Sequence, residues 1–88
     1  MEDCKTLIRE FFTSRLASIR KKLGLSQDQM SELLHITTRS YIDLEKGKYC
    51  LSTKSLMFLL LLMDKDEIYQ LLLDFKEMID KAERKDAM

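Results

Sequence analysis

The stretch from Leu25 to Lys48, LSQDQMSELLHITTRSYIDLEKGK, contains the start and stop signals of two short helices joined by a tight turn. Ser26 and Gln29 have the spacing of a capping box, in which a hydroxyl and an amide satisfy the first backbone N–H groups of a helix. The apolar residues that follow recur at helical spacing and form one inward stripe: Met30, Leu33 and Leu34. We therefore predict that the first helix of this stretch begins directly after Ser26.

The second helix of the stretch is predicted to have two unlike sides. Thr37 or Thr38 can cap it through a hydroxyl, and Gly47 can adopt the left-handed conformation that commonly ends a helix, after about Lys46. Tyr41, Leu44 and Glu45 share one side, and Arg39, Asp43 and Lys46 share the other, flanked by Thr38 and Ile42. This pattern fits a helix that is anchored from beneath and presents polar groups to DNA. The alternative is an ordinary amphipathic helix whose outer face is solvated, with Arg39 and Asp43 as an i,i+4 ion pair.

The same stretch resembles the helix-turn-helix of the lambda-repressor-like family, also called the Cro/C1 or XRE family. That pattern is commonly Arg-x-x-x-Gly-Leu-Ser-Gln, then apolar positions and a turn, then Ile-x-x-(Ile/Leu)-Glu-x-Gly-Lys. The matching residues are Arg20, Gly24, Leu25, Ser26, Gln27, Met30, Leu34, Ile36, Leu44, Glu45, Gly47 and Lys48. The resemblance covers roughly residues 12–63 without a gap and implies a lambda-repressor-like DNA-binding domain.

Three residues depart from the family pattern. His35 stands where the family usually has glycine, so a side chain must tolerate positive φ at a cost of about 1 kcal/mol. Ser31 stands where the family prefers alanine, and it is small enough for the same close helix crossing. Tyr41 replaces isoleucine or valine, so the core must accommodate a ring and satisfy its hydroxyl.

The resemblance also implies which residues contact DNA. Base contacts are expected from the positions of Thr37, Thr38, Arg39 and Asp43, and phosphate contacts from those of Gln27, Lys46 and Lys48. Arginine can donate twice to guanine, threonine offers a hydroxyl or a methyl group, and aspartate can accept from cytosine. Asp43 can instead steer Arg39 or exclude a wrong base by repulsion. Gln27 has the further alternative of a solvated amide at a helix start.

A long N-terminal helix, from about Lys5 to Leu23, is predicted to pack on this motif because its apolar residues repeat at threes and fours. In relatives, an arginine near its end pairs with a glutamate of the second motif helix. The resemblance therefore implies a shielded Arg20–Glu45 salt bridge with a structural role.

The composition bounds the fold and the partners. The chain has 88 residues, no proline and two glycines, with 45% apolar and 34% charged residues, which favours one all-α domain (residues 1–88) of about five helices. The net charge is zero, which is unusual for a DNA-binding protein because phosphate contacts dominate affinity. Residues 1–50 carry nine basic against seven acidic side chains, and residues 51–88 carry six against eight. The predicted DNA-binding half is thus the weakly basic half.

Other classes of protein lack support in the sequence. Cys4 and Cys50 have no metal-binding or redox spacing, and with one histidine and no glycine-rich phosphate loop we expect neither an enzyme nor a cofactor. The N-terminus lacks a secretion signal, and the longest apolar run, Leu56–Met63, is far shorter than the ~20 residues that cross a bilayer. A cytoplasmic protein without membrane contact is expected.

The C-terminal third is predicted to form two helices, one capped by Ser52 and running to Met63, the other capped by Asp64 and extending over about residues 65–85. The final helix has an apolar stripe at heptad-like spacing, and its proposed dimer or capping surface consists of Ile68, Leu72, Phe75 and Ile79. A homodimer through this helix and the outer face of the helix before it is favoured, because helix-turn-helix operators are two-fold. The alternative is a monomer that is capped by its own last helix.

The functional prediction is a sequence-specific DNA-binding transcriptional regulator, a repressor that binds double-stranded DNA as a homodimer. The alternative is a protein-interaction module, such as an antitoxin or adaptor, that binds a protein partner through its apolar C-terminal helices.

Overall fold

The computed structural model describes the backbone of residues 4–87, which form five helices and no strand. The helices are α1 (Cys4–Lys22), α2 (Gln27–Leu33), α3 (Thr38–Glu45), α4 (Thr53–Leu61) and α5 (Lys65–Ala87). The predicted all-α fold is confirmed within this range. The predicted domain also contains residues 1–3 and 88, which lie outside the described residues.

Side-chain caps start the helices at the predicted positions. The Gln29 N–H donates to Ser26 Oγ at 3.1 Å and the Ser26 N–H donates to Gln29 Oε1 at 2.9 Å, which completes the capping box of α2. Of the two candidate threonines, Thr37 caps α3 by accepting from the Ser40 N–H at 3.1 Å. The predicted caps of the last two helices are also present, Ser52 for α4 and Asp64 for α5.

Three helices end in the same backbone motif, in which a residue with positive φ turns the chain back over the last helical turn. These residues are Gly24 after α1, His35 after α2 and Gly47 after α3, with φ of 71°, 59° and 78°. After α3, the Lys48 N–H donates to the Asp43 carbonyl at 3.0 Å and the Gly47 N–H donates to that of Leu44 at 3.1 Å. A Cβ at Gly47 would lie 3.1 Å from Thr13 Oγ1, so glycine also lets α1 approach this turn closely.

One apolar cluster joins the first four helices. Its buried members are Leu16, Met30, Leu34, Tyr41, Leu44 and Leu59. Tyr41 and Leu44 are the residues predicted to anchor α3 from beneath, and both are buried. Because these two side chains fix one side of α3 against the core, Arg39 and Lys46 on its opposite side are left exposed.

The last helix lies against α1. Leu71 is 7% exposed, and the Phe75 ring meets the Phe11 ring edge to face with centroids 5.2 Å apart. An exposed ion pair between Lys22 and Glu67, 2.8 Å apart, joins the end of α1 to the start of α5. The last helix therefore covers α1 within the same chain. No described helix combines the length and the apolar character needed to cross a membrane.

The four residues predicted as one dimer or capping surface do not share one environment. Phe75 packs on α1, Ile68 and Ile79 are half-buried, and Leu72 is 60% exposed. The stripe is divided because Leu71, rather than Leu72, is buried. An open apolar cavity of about 220 Å³ remains between α1, α4 and α5, lined by Ile8, Phe11, Phe12, Leu56, Leu60, Leu71, Leu72 and Phe75.

Candidate nucleic-acid interface

A carboxylate at the end of α3 joins three helices beneath the candidate interface. Glu45 Oε2 accepts from Arg20 Nε of α1 at 2.8 Å, and its Oε1 accepts from Gln27 Nε2 of α2 at 3.1 Å. The Tyr41 hydroxyl also donates to Glu45. Both ends of the Arg20–Glu45 pair are largely shielded from solvent. The tyrosine that departs from the family pattern thus satisfies its hydroxyl on the carboxylate that the arginine also uses.

The pKa values of this network follow from its contacts. Burial by itself raises the pKa of Glu45, but the hydrogen bonds from Arg20, Tyr41 and Gln27 outweigh burial, and the pKa lies below its usual value. Burial, followed by the hydrogen bond to Glu45, raises the pKa of Tyr41 above its usual range. The hydrogen bond to Glu45 raises the pKa of Arg20. At neutral pH the carboxylate and the guanidinium are therefore charged and the phenol is neutral.

The outer side of α3 and the turn after it present basic side chains. The Arg39 side chain is 75% exposed, Lys46 is exposed, and the Lys48 side chain is 50% exposed. All three were predicted to contact DNA. Since Glu45 is occupied by the network beneath, the exposed charge of this face is mainly positive.

The exposure predicted for Asp43 is wrong. The residue is only 8% exposed, although it lies on the side of α3 opposite Tyr41. The chain turns back after Gly47, and this places Lys48 over the last turn, with its Nζ 3.6 Å from Asp43 Oδ1. Arg39 Nε lies 3.6 Å from Asp43 Oδ2. A helical-wheel projection of α3 alone could not predict this burial, because Lys48, one of the covering residues, lies outside the helix.

The hydroxyls of both threonines at the start of α3 are used within the chain. Thr37 Oγ1 accepts from the Ser40 N–H and donates to Ser40 Oγ at 2.9 Å. Thr38 Oγ1 donates to Asp28 Oδ1 of α2 and lies 3.3 Å from Ser31 Oγ. Thr38 therefore ties α3 to α2, a role that its sequence spacing did not indicate. Since both hydroxyl protons are used, either threonine can offer DNA its methyl group and a remaining lone pair of its oxygen, but no hydrogen-bond donor.

Gln27 lies where α2 begins, and its amide is shared with the network. One amide proton points at Glu45, while an amide nitrogen carries two protons, so one donor remains for a phosphate. The side chain is half-buried and its orientation is fixed by this bond. Gln27 can thus position α2 and α3 and contact DNA at once.

The turn between α2 and α3 contains His35, which is exposed. Its ring stacks on Phe58 of α4 with centroids 4.0 Å apart, and its carbonyl accepts from Lys54 Nζ at 2.9 Å. Both contacts hold the turn on α4. Among the described residues there is no group of three or more histidine, cysteine, aspartate or glutamate side chains that could hold a metal ion.

Comparison with known proteins agrees with the helix-turn-helix arrangement of this chain. A family model described as a helix-turn-helix domain matches residues 13–81, most of the chain. An uncharacterized HTH-type transcriptional regulator of Methanothermobacter thermautotrophicus is 42% identical over 45 residues, which are 51% of this chain and 54% of that protein. The chain thus spans about half the length of this relative. No solved structure matches this chain significantly.

Proposed function

Because the chain belongs to the helix-turn-helix domain family, we propose that it is a sequence-specific DNA-binding transcriptional regulator. The relative with 42% identity is named as a transcriptional regulator, which supports this proposal. The observation that carries it is the combination of Tyr41 and Leu44 buried beneath α3 with Arg39 exposed above it. A helix held in this way can enter a major groove without losing its packing.

The proposed contacts are of two kinds: some recognise bases, and others bind the phosphate backbone of the DNA. Arg39 donates to guanine O6 and N7, while Thr37 and Thr38 contact base edges through their methyl groups. Lys46, Lys48 and the second amide proton of Gln27 contact phosphates, which fix the position of α3 without reading sequence.

The proposed mode of action is repression by a homodimer that occupies a two-fold operator. The basic residues of the proposed interface of one copy are Arg39, Lys46 and Lys48, and the net charge of the chain is zero, so a single copy gains little from phosphate neutralisation. Two copies on one duplex add their contacts, and the symmetry of the operator follows from that of the dimer.

Two substitutions distinguish base recognition from phosphate binding. We expect the Arg39→Ala variant to lose its preference at one base pair per half-site, by about 1–3 kcal/mol of discrimination. Lys46→Ala is expected to weaken binding to all sequences and to lower the slope of log affinity against log salt by about one per chain. Lys76→Ala, an exposed lysine of α5, is the matched control and leaves both quantities unchanged.

The measurement is selection from random duplexes, followed by affinities for selected and random DNA at several salt concentrations. Wild-type protein that selects no sequence would contradict the proposed function. Equal losses on every sequence for the arginine and lysine variants would leave DNA binding in place but contradict the division of roles.

A second candidate function, binding of a protein partner, has one observation in its favour. Leu72 of α5, which lines the apolar cavity, is 60% exposed, and Leu61 of α4 and Tyr69 of α5 are also large apolar side chains that remain mostly exposed. A chain that stays monomeric and selects no DNA sequence would favour this candidate over the regulator.

A further inference from the structure

Asp43 is an unusual acceptor on the proposed DNA-binding face. It is 8% exposed, and its Oδ1 accepts no hydrogen bond from the described residues. Lys48 Nζ lies 3.6 Å from Oδ1, and Arg39 Nε lies 3.6 Å from Oδ2. These distances exceed those of hydrogen bonds, so the carboxylate attracts two cations by charge alone.

The local fold determines this arrangement. Arg39 is one helical turn before Asp43, where an i,i+4 partner lies on the same side of the helix. Lys48 comes from the other direction, because the positive φ of Gly47 turns the chain back and the Lys48 N–H donates to the Asp43 carbonyl. A fixed carboxylate therefore lies between two long, exposed cations.

We propose that Asp43 is a positioning residue for DNA specificity, which acts through Arg39 and Lys48 and does not itself contact a base. This inference rests on the proposed function. The carboxylate restricts the guanidinium of Arg39 to orientations near α3, so less conformational freedom is lost when a base pair is bound. It also offsets part of the charge of Lys48, which lowers attraction to the phosphates of any sequence.

Specificity is the ratio of affinities for preferred and random DNA, and Asp43 affects both parts of it. Restricting Arg39 strengthens binding to the preferred site, because only that site has the matching base. Offsetting the charge of Lys48 weakens binding to preferred and random DNA alike, so it lowers the affinity and the salt slope, and the change in the ratio comes from Arg39. The proposed interface can thus discriminate without additional base contacts.

The experiment compares Asp43→Asn with Asp66→Asn, which makes the same chemical change at an exposed position in the first turn of α5. For Asp43→Asn we expect tighter binding to random DNA, a salt slope steeper by up to about one, and a specificity ratio lower by roughly three- to tenfold. The control leaves all three close to wild type. Circular dichroism verifies folding, and Asp43→Ser replaces the asparagine variant if that variant does not fold.

The base pair that loses preference identifies the route. If Asp43 acts through Arg39, its substitution relaxes the same base pair as Arg39→Ala, and the double variant loses no more preference than Arg39→Ala alone. In a Lys48→Met background, the increase in salt slope should disappear.

Loss of preference at a different base pair would overturn the inference, because Asp43 would then contact a base directly. An unchanged specificity ratio would also overturn it while leaving the proposed function intact. If wild-type protein selects no DNA sequence, the proposed function fails and this inference fails with it.

Discussion

His35 holds a backbone conformation that most side chains avoid, with φ of 59°. The strain of about 1 kcal/mol for a non-glycine residue is offset by contacts that glycine could not make. Its ring stacks on Phe58 at 4.0 Å between centroids, an arrangement worth roughly 0.5–1.5 kcal/mol. His35 thus adopts a strained backbone conformation, and its side chain connects the turn to α4.

Two substitutions at this position separate the strain from the stack. His35→Ala loses the stack and keeps the strain, whereas His35→Gly loses the stack and relieves the strain. We expect the glycine variant to be more stable than the alanine variant by about 1 kcal/mol, because both lack the stack and only alanine keeps the strain. Urea unfolding measures both free energies. An alanine variant as stable as the glycine variant would mean that the turn is not strained.

The sequence predicts the strained position but not its compensation. The family pattern places glycine where His35 stands, so positive φ could be expected there. The stack depends on Phe58, which is 23 positions further along. Nothing in the spacing of these two residues indicates contact, because it results from the packing of α4 on the turn. The burial of Asp43 was missed for a similar reason, since its cover comes from a turn outside the helix.

At the scale of elements, α1, α2 and α3 are joined by one carboxylate. Glu45 accepts from Arg20, Gln27 and Tyr41, which brings together a residue of each helix. The depressed pKa of Glu45 means that its contribution to stability is complete above its ordinary value of 4.5 and is lost as the pH falls through the lower value of the folded state.

Replacing this carboxylate should therefore matter at neutral pH and matter less in acid. We expect Glu45→Gln to lower the free energy of unfolding at pH 7 by roughly 1.5–3 kcal/mol, because Arg20 is left without its counter-ion. As the pH falls through the lowered pKa of Glu45, the difference from wild type should shrink, since the wild-type carboxylate is protonated there. Urea unfolding at a series of pH values from neutral into acid measures it. Glu67→Gln is the control, because its partner Lys22 is well exposed and the pair is screened by solvent. A difference that is independent of pH would show that Glu45 acts through its shape rather than its charge.

The helices themselves were largely predictable, because their starts and ends are encoded locally. Ser26 with Gln29, Thr37 and Ser52 each cap the helix that follows, as their hydroxyl positions indicated. The bond from Thr38 to Asp28 was not predictable, because it depends on the angle at which α2 meets α3. The helices could thus be predicted from local sequence signals, whereas the contacts between helices could be identified only from the structure.

At the scale of the whole molecule, α5 divides its apolar residues between two tasks. Leu71 and Phe75 pack within the chain, which makes α5 part of the fold. Leu72 follows Leu71 directly and is 60% exposed beside the apolar cavity. The sequence alone left capping and dimerisation as alternatives, since a stripe at heptad-like spacing suits both. In the structure, buried Leu71 is needed for packing within the single chain, whereas exposed Leu72 is available to a homodimer.

Leu72→Glu should dissociate the proposed homodimer without unfolding the chain. The substitution places a charge on a surface that two copies would bury, while it removes little packing within one chain, so its effect on the free energy of unfolding of the monomer should stay within about 0.5 kcal/mol. Leu71→Ala is the matched comparison and should cost about 2–5 kcal/mol, because that side chain is buried.

Sedimentation velocity measures the oligomeric state, and binding to duplexes with one or two half-sites measures its consequence. We expect the glutamate variant to sediment as a monomer and to lose affinity mainly for the duplex with two half-sites, because each copy keeps its own α3. A folded variant that remains a dimer would place the interface elsewhere on the molecule.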